Sequence, residues 1–204
     1  MTLLASEQLF RGCFVAIVVG VLAISGYFRR RARQSGETIP RAREGQLALL
    51  TRLLCAAALY LPIFVYMLNP AWMAWSAISL PTWLRWLVVA VGLAMLPLVY
   101  WVFSSIGNNI SETFLTKEKH VLVAHGPYRW VRHPLYAAAT MSLVALSVLA
   151  ANWFMLAMAG AAFLGIAGLV IPREETELVQ KFGDEYREYM ERTGRFAPRL
   201  HLFQ

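Results

Sequence analysis

The hydrophobic positions of this chain fall into five long apolar runs separated by polar segments. The runs cover residues 9–28, 47–68, 83–103, 134–150 and 153–171. An α-helix of about 20 apolar residues crosses a hydrocarbon core about 30 Å thick. The pattern therefore predicts an all-α integral membrane protein with five transmembrane helices.

The last two runs are separated only by Ala151 and Asn152. So short a link predicts a tight antiparallel hairpin of the fourth and fifth helices. The tail that follows, residues 172–204, is charged and amphipathic and predicts a surface helix. The side chains expected on one face of that helix are Phe182, Tyr186, Tyr189 and Met190.

We divide the chain into two parts of one membrane domain. Residues 1–103 hold the first three helices and a basic loop, 29–46, in which Gly36 and Pro40 are expected to prevent a long helix. Residues 104–204 hold the polar segment before the hairpin, the hairpin itself and the tail. The residues with catalytic or binding potential are concentrated in this second part.

Composition excludes an ordinary soluble domain, because 58% of the 204 residues are hydrophobic and only 15% are charged. Of the 19 Lys and Arg, all but Arg11, Arg52 and Arg85 lie in loop 29–46, in segment 104–132 or in the tail. The positive-inside rule places those three segments in the cytoplasm and the N-terminus outside. Topology and anionic lipid thus account for the net charge of +7, and no nucleic-acid partner is expected.

The cysteines and the first apolar run do not change this class. Cys13 and Cys55 both lie in apolar runs, which favours buried hydrophobic side chains over a disulfide framework or a metal cluster. The first run is followed by a basic segment and no small-residue cleavage site, so we expect it to be retained and not removed as a signal peptide.

Two polar passages flank the predicted hairpin, and we expect them to face each other. The first is residues 126–136, which end in Arg132-His133-Pro134-Leu135-Tyr136. Pro134 suits the first turn of a helix and places His133 at its cap, where amides favour an anionic group. Arg132 and Tyr136 flank that position. Anchoring of a helix at the membrane interface would also explain Arg132 and His133.

The second passage, residues 172–178, contains the adjacent acids Glu174 and Glu175. Acids in a first helical turn stabilise the helix through its dipole, so a structural role is an open alternative. Opposite a basic and aromatic passage, two carboxylates could instead bind a cation or an amine.

These motifs resemble the isoprenylcysteine carboxyl methyltransferase family, which is related to phospholipid N-methyltransferases. The resemblance covers about residues 106–200 and is carried by Arg132-His133-Pro134-Leu135-Tyr136, by Glu174-Glu175-Thr176-Glu177-Leu178 and by Phe182-Gly183-Asp184-Glu185-Tyr186. The prokaryotic members are the most similar, since they share a Gly-Asn-Asn segment and a tail like residues 189–195. A prokaryotic inner membrane is the location that this implies.

The resemblance implies an enzyme that binds S-adenosylmethionine in a cytosolic pocket without a Rossmann fold and releases S-adenosylhomocysteine. Residues that match cofactor contacts of the family are His120, Val121, Leu122, Val123, Tyr128, His133, Pro134, Leu135, Tyr136 and Glu174. Rings and a carboxylate suit the sulfonium and the ammonium of that cofactor.

The expected reaction is transfer of a methyl group to a lipophilic acceptor, most simply the carboxylate of a prenylated cysteine. A carboxylate is already ionised at neutral pH, so orientation and exclusion of water would suffice. Eukaryotic members and some prokaryotic members of the family have an arginine where this chain has Val170, and Arg173 is the candidate replacement. With Arg132 and Glu175, Arg173 completes the set of catalytic candidates.

Three questions stay open. A phospholipid amine or a small thiol or lipid is an alternative acceptor, and an amine or thiol would need a base. A non-catalytic membrane protein is the other class. The sequence does not define the oligomeric state.

Overall fold

The computed structural model describes residues 3–34, 46–107 and 121–199, and these ranges are helical with no β-sheet. The α-helices are α1 (Leu3–Gln34), α2 (Gln46–Leu68), α3 (Thr82–Ile106), α4 (Pro134–Leu149), α5 (Trp153–Gly165), α6 (Ile171–Phe182) and α7 (Asp184–Arg192). The predicted all-α fold is therefore confirmed for the described residues, and each predicted apolar run coincides with a helix.

Three of these helical stretches are long and apolar enough to cross a membrane, namely Ser6–Gln34, Thr82–Ile106 and Trp153–Phe182. The other two apolar helices are shorter in their described parts, Ala56–Leu68 and Pro134–Leu149. Helix α3 packs against α1 and α4, α4 packs against α5, and α5 packs against α2. The helices thus form one bundle with α3 and α4 at its centre.

Two hydrophobic cores are seen among the described residues, one towards each end of the bundle. One contains Phe14, Tyr66 and Leu149, where α1, α2 and the hairpin meet. The other contains Phe28 and Phe103, where the end of α1 meets the end of α3 and the start of α4. The second core is the apolar floor beneath the polar residues that precede α4.

The hairpin of α4 and α5 is as tight as predicted. Ala151 adopts a positive φ of 49°, and the Asn152 side chain caps α5 by accepting a hydrogen bond from the Met155 N–H at 2.9 Å. The same side chain donates to Ser76 Oγ at 2.7 Å, in the turn that follows α2. The link between the helices is therefore fixed on both sides.

Two of the three basic residues outside the predicted cytoplasmic segments are held at the hairpin end of the bundle. Arg11 donates to the carbonyls of Met67 and Leu68 at 2.6 and 2.7 Å. Arg85 is 6% exposed, pairs with Glu7 and donates to the carbonyl of Leu149 at 3.1 Å. Their charges serve packing between helices, which hydrophobicity alone does not predict. The Arg52 side chain lies outside the described part of the chain.

Two predicted boundaries were wrong. Helix α1 does not end near residue 28 but runs to Gln34, so four arginines expected in a loop lie in its last turns: Arg29, Arg30, Arg31 and Arg33. Residues 35–45, with Gly36 and Pro40, lie outside the described residues. Cations are favourable at a helix C-terminus, which explains why the helix continues.

The fifth helix was also predicted too short. It continues past residue 171 to Phe182 through a π-helical turn, Ile166–Val170, in which the Ile171 N–H donates to the carbonyl of Ile166. Pro172 has no N–H to donate, and a wider turn accommodates its ring without ending the helix. Gly183 ends α6 with a φ of 59°, so Phe182 lies on α6 and not on the same helix as Tyr186 and Tyr189.

Candidate functional site

The start of α4 and the start of α6 face each other, as the sequence predicted. Tyr136, in the first turn of α4, donates its hydroxyl hydrogen to Glu174 Oε2 at 3.1 Å. His133, immediately before α4, places its Nε2 3.2 Å from Glu175 Oε1. The two adjacent acids of α6 therefore reach different parts of the passage around α4.

Glu175 lies at the centre of a buried cluster of charges. Its Oε1 accepts a hydrogen bond from Arg132 Nε at 3.1 Å as well as facing His133, and its Oε2 accepts one from Arg195 at 2.6 Å. The side chains of Glu175 and Arg132 are each 9% exposed, whereas that of Arg195 is 43% exposed. Both oxygens of Glu175 are thus engaged by the protein itself.

Arg132 is equally committed to the protein. Its Nη1 donates to the carbonyl of Met190 at 2.9 Å and also to the carbonyl of Thr193. With three acceptors, its guanidinium ties the start of α4 to α6 and to the end of α7. Arg132 and Glu175 therefore define the position of His133.

Glu174 has a different environment. The residue is half-buried, and its hydrogen bond to the neutral hydroxyl of Tyr136 is its described polar contact. The ring of Tyr136 is also 5.9 Å from that of His133, measured between centroids. A carboxylate and two rings thus lie together, and no ion pair to Glu174 is formed within the described part of the chain.

Tyr128 completes this arrangement. It lies in a short helical turn, Gly126–Arg129, and is buried at 7% exposure. Its hydroxyl is buried and has no hydrogen-bond partner among the described residues. A buried hydroxyl without a partner loses about 1–3 kcal/mol of solvation, so it marks a place where a ligand atom is expected.

Burial keeps the tyrosines around this site neutral. Loss of solvent raises the pKa of Tyr128 well above its ordinary value, and the neighbouring Tyr189, Glu174 and Tyr136 raise it further. Burial also raises the pKa of Tyr189 to about 12. The Tyr189 hydroxyl donates to the carbonyl of Tyr128 at 2.7 Å, so α7 fixes the turn that carries Tyr128.

The other predicted site residues have various positions. Pro134 is buried in the first turn of α4, and Leu135 packs against the core that contains Phe28 and Phe103. Val121 is exposed, whereas Leu122 and Val123 are half-buried in the non-helical stretch before residue 126. Arg173 is exposed on α6, and His120 lies outside the described residues.

The sequence did not single out two residues of the tail that reach the site. Arg195 is one of the partners of Glu175, and the ring of Phe196 lies 6.4 Å from that of His133 and 5.0 Å from that of Phe163. The resemblance of residues 189–195 to a family tail was a signal for this segment, but it did not indicate a contact.

Comparison with known proteins identifies relatives of this arrangement. Residues 86–180 match the family model described as "Isoprenylcysteine carboxyl methyltransferase (ICMT) family". The protein-S-isoprenylcysteine O-methyltransferase of Dictyostelium discoideum is 28% identical over 64% of this chain and 56% of its own length. A solved structure of the eukaryotic intramembrane Ras methyltransferase ICMT has a TM-score of 0.55 at 20% identity and covers 91% of this chain and 67% of that one.

Other curated relatives have different names. The cobalt-zinc-cadmium resistance protein CzcN of Cupriavidus metallidurans is 29% identical over 60% of this chain and 55% of its own length. The methanethiol S-methyltransferase 1 of Bradyrhizobium diazoefficiens is 32% identical over 35% of this chain and 24% of its own length. The chain spans about half the length of the first curated relatives that it matches. The described residues include three helices long and apolar enough to cross a membrane, and the fold is similar to that of an intramembrane protein. The chain is therefore an integral membrane protein.

Proposed function

We propose that the chain is a membrane methyltransferase of the isoprenylcysteine carboxyl methyltransferase family, because that family model matches residues 86–180 and a methyltransferase of the family is similar in sequence and another in fold. The methyl donor is S-adenosylmethionine, and the acceptor is a lipophilic molecule that carries a carboxylate, such as a prenylated cysteine. The site of transfer is the space between the start of α4 and the start of α6.

The observation that supports this proposal most strongly is the combination of Tyr128 and Glu174. The Tyr128 hydroxyl is buried without a described partner, and the hydrogen bond to Glu174 among the described residues comes from the neutral hydroxyl of Tyr136. An uncommitted donor and a carboxylate that is not in a described ion pair suit a ligand that has both acceptor atoms and positive charge. S-adenosylmethionine carries a sulfonium, an ammonium, a carboxylate and a nucleoside, so the chemistry of the residues fits this cofactor.

Each residue then has a distinct task. Glu174 holds the positively charged part of the cofactor, and Tyr136 orients Glu174 through the hydrogen bond at 3.1 Å. The Tyr128 hydroxyl donates to an acceptor atom of the cofactor, and His133 and Pro134 form the wall at the start of α4. Arg132 and Glu175 hold His133 in place through their mutual ion pair.

The cofactor, when bound, supplies an electrophilic methyl group on a sulfonium. The protein's part is to align donor and acceptor and to exclude water, since an ionised carboxylate needs no base. Arg173 is exposed next to Glu174. We assign it to binding the acceptor carboxylate, in place of the family arginine whose position is occupied by Val170 in this chain. His120, Val121, Leu122, Val123 and Leu135 are assigned to the cofactor by the family resemblance.

The proposed topology has five transmembrane helices with the site on the cytoplasmic side. The ends of α1 and α3 and the starts of α4 and α6 share one end of the bundle, and most Lys and Arg belong to segments at this end. The positive-inside rule then puts the C-terminus in the cytoplasm and the hairpin link outside. A prokaryotic inner membrane is the proposed location.

A small thiol is the second candidate acceptor. Two of the matched relatives are named methanethiol S-methyltransferases, and they are 32% and 30% identical to this chain over 71 and 78 residues. A thiol must lose its proton before or during transfer, so this reaction needs a base. A carboxylate of the site or the ring of His133 is the candidate base.

The proposal is tested first by cofactor binding to the purified full chain. Glu174→Ala should abolish calorimetric binding of S-adenosylhomocysteine while the protein remains folded. Glu188→Ala, which removes an exposed acid of α7, is the matched control and should bind like the wild type. Wild-type protein that binds no cofactor would overturn the proposal.

The acceptor is tested with a labelled methyl donor and a panel of lipophilic carboxylates, thiols and amines. Transfer to the carboxylates and not to the thiols supports the first candidate, and the opposite result supports the second. Arg173→Ala should raise the KM of a carboxylate acceptor and leave cofactor affinity unchanged. Wild-type kinetics in that variant would remove Arg173 from the site.

A further inference from the structure

Four residues that follow α7 form a short strap across the start of α4. We call residues 193–196 the tail strap. The Arg132 N–H donates to the carbonyl of Gly194 at 2.8 Å, and the His133 N–H donates to the carbonyl of Arg195 at 3.1 Å. In return, the Gly194 N–H donates to the carbonyl of Trp130 at 3.2 Å. The backbone of the strap therefore pairs with the residues that lead into α4.

The strap is fixed at its beginning as well. Thr193 is 2% exposed, and its hydroxyl donates to the carbonyl of Tyr189 at 2.6 Å, which continues the last turn of α7. Gly194 has no room for a side chain, because a Cβ atom there would lie 1.7 Å from the carbonyl oxygen of Ala197. The strap therefore has a defined position relative to α7 and to the start of α4.

Two side chains of the strap also act on His133. Phe196 contacts its ring directly, and Arg195 contacts Glu175, which faces that ring. Arg195 donates to Glu175 Oε2 at 2.6 Å, and Glu175 Oε1 lies 3.2 Å from His133 Nε2. The ring of Phe196 packs between those of His133 and Phe163. His133 is thus contacted by the strap through its backbone N–H, through Glu175 and through an aromatic ring.

We propose that Arg195 is a positioning residue of the site, which acts on His133 through Glu175. This inference rests on the proposed function, because it assigns His133 to the site of methyl transfer. It goes further, because it makes the tail strap a part of the machinery. No other residue of the strap carries charge.

The way in which the two carboxylate oxygens of Glu175 are shared between their donors explains why Arg195 is needed. Arg132 and His133 both approach Oε1, so without Arg195 the carboxylate would be held by one oxygen and could rotate. A bond to Oε2 fixes the carboxylate plane and keeps Oε1 opposite the His133 ring. A hydrogen bond that holds one ring nitrogen sets the tautomer, and because a carboxylate oxygen can only accept, this one assigns a ring proton to Nε2.

The test compares three variants of the full chain. The first removes the positive charge of residue 195, the second keeps it, and the third removes a positive charge elsewhere in the tail. Arg195→Met removes the donor, and Arg195→Lys keeps the charge but not the planar fork. Arg199→Met is the matched control, because Arg199 donates to the backbone carbonyl of Glu191 and does not contact Glu175. Thermal unfolding is recorded for each variant, so that kinetic effects are compared between folded proteins.

Two readouts distinguish positioning from a purely structural role. In ligand-free protein labelled with ¹⁵N-histidine, Arg195→Met should shift the His133 ring signals away from the Nε2-protonated tautomer. In the methyl-transfer assay, the same variant should lose about 10- to 100-fold in turnover with the acceptor KM unchanged. Arg195→Lys should recover most of the loss, and Arg199→Met should behave like the wild type in both assays.

The proposal fails if Arg195→Met keeps the wild-type ring signals and turnover, if Arg199→Met has the same effect, or if lysine gives no rescue. If Arg195→Met does not fold, Arg195→Gln, which also lacks the charge but keeps a polar side chain, takes its place. Wild-type ring signals in Arg195→Gln would then overturn the proposal. The ring signals need no cofactor. They therefore test the positioning role even if the wild type binds no cofactor and the proposed function is wrong.

Discussion

The most direct test of the buried cluster is the substitution Glu175→Gln. The carboxylate has an acceptor for each group around it, with Oε1 facing Arg132 and His133 and Oε2 facing Arg195. A glutamine amide has one acceptor oxygen and one donor nitrogen. Whichever way it is turned, a donor faces a donor, and the buried charge of Arg132 loses its counterion.

The magnitude follows from the burial of the partners. Removing one member of a buried ion pair costs about 3–5 kcal/mol. We expect the lower end, about 3 kcal/mol, because Arg195 is 43% exposed and can be solvated, and because glutamine keeps one oxygen. For a chain of this length, about 2–4 °C per kcal/mol gives a fall in Tm of about 6–12 °C.

The assay is thermal unfolding of the detergent-solubilised protein, with Glu174→Gln as the matched control. Glu174 accepts a hydrogen bond from the neutral Tyr136 hydroxyl, and the amide oxygen of glutamine can accept it equally. We expect that control to change stability by no more than about 1 kcal/mol. Equal Tm values for the two variants would refute the claim that Glu175 is the structural centre and Glu174 the group available to a ligand.

Three further substitutions separate the site from the scaffold. Tyr128→Phe removes a buried hydroxyl without a described partner, so it should leave the free energy of unfolding unchanged or raise it by about 1 kcal/mol. The same variant should bind the cofactor more weakly in calorimetry, and unchanged affinity would contradict the assignment of Tyr128. Gly194→Ala should lower Tm because its Cβ would meet the carbonyl of Ala197, whereas Gly160→Ala, with open space around it, should not; equal Tm values would contradict the strap geometry. Asn152→Ala should cost about 1–2 kcal/mol in unfolding experiments through loss of the α5 cap, and a wild-type value would count against the hairpin structure.

Much of the fold follows from the sequence because membrane helices carry a strong signal. A run of apolar residues has to be helical in lipid, so the positions of α1 to α5 could be predicted. Their ends could not be predicted as well. The arginines after residue 28 were expected in a loop, yet cations at a helix C-terminus are compatible with its continuation to Gln34.

The end of the fifth helix, predicted at residue 171, shows a second limit. Proline usually marks the start or the end of a helix, and here a π-helical turn absorbs it. No periodicity in residues 166–170 indicates that turn. This turn matters for the site. Because α6 continues from α5 without a break, Glu174 and Glu175 are held rigidly opposite the start of α4.

The candidate site was predicted in part for a similar reason. Adjacent acids and an Arg-His-Pro segment at the two ends of a tight hairpin have to lie at the same end of the bundle, so their proximity could be inferred. The different environments of Glu174 and Glu175 could not be inferred. They depend on the rotamer that each glutamate adopts and on the partner that this rotamer reaches. Arg195 was missed because a strap of four residues has no hydrophobic pattern and its partner is far away in the sequence.

The central claim is that the start of α4 and the start of α6 hold one sulfonium cofactor. Its most direct test is an experimental structure of the full chain with S-adenosylhomocysteine bound. The account predicts that the Glu174 carboxylate and the Tyr128 hydroxyl both lie within hydrogen-bonding distance of that single molecule. A nucleoside bound elsewhere, with the Tyr128 hydroxyl and Glu174 both out of its reach, would contradict the account.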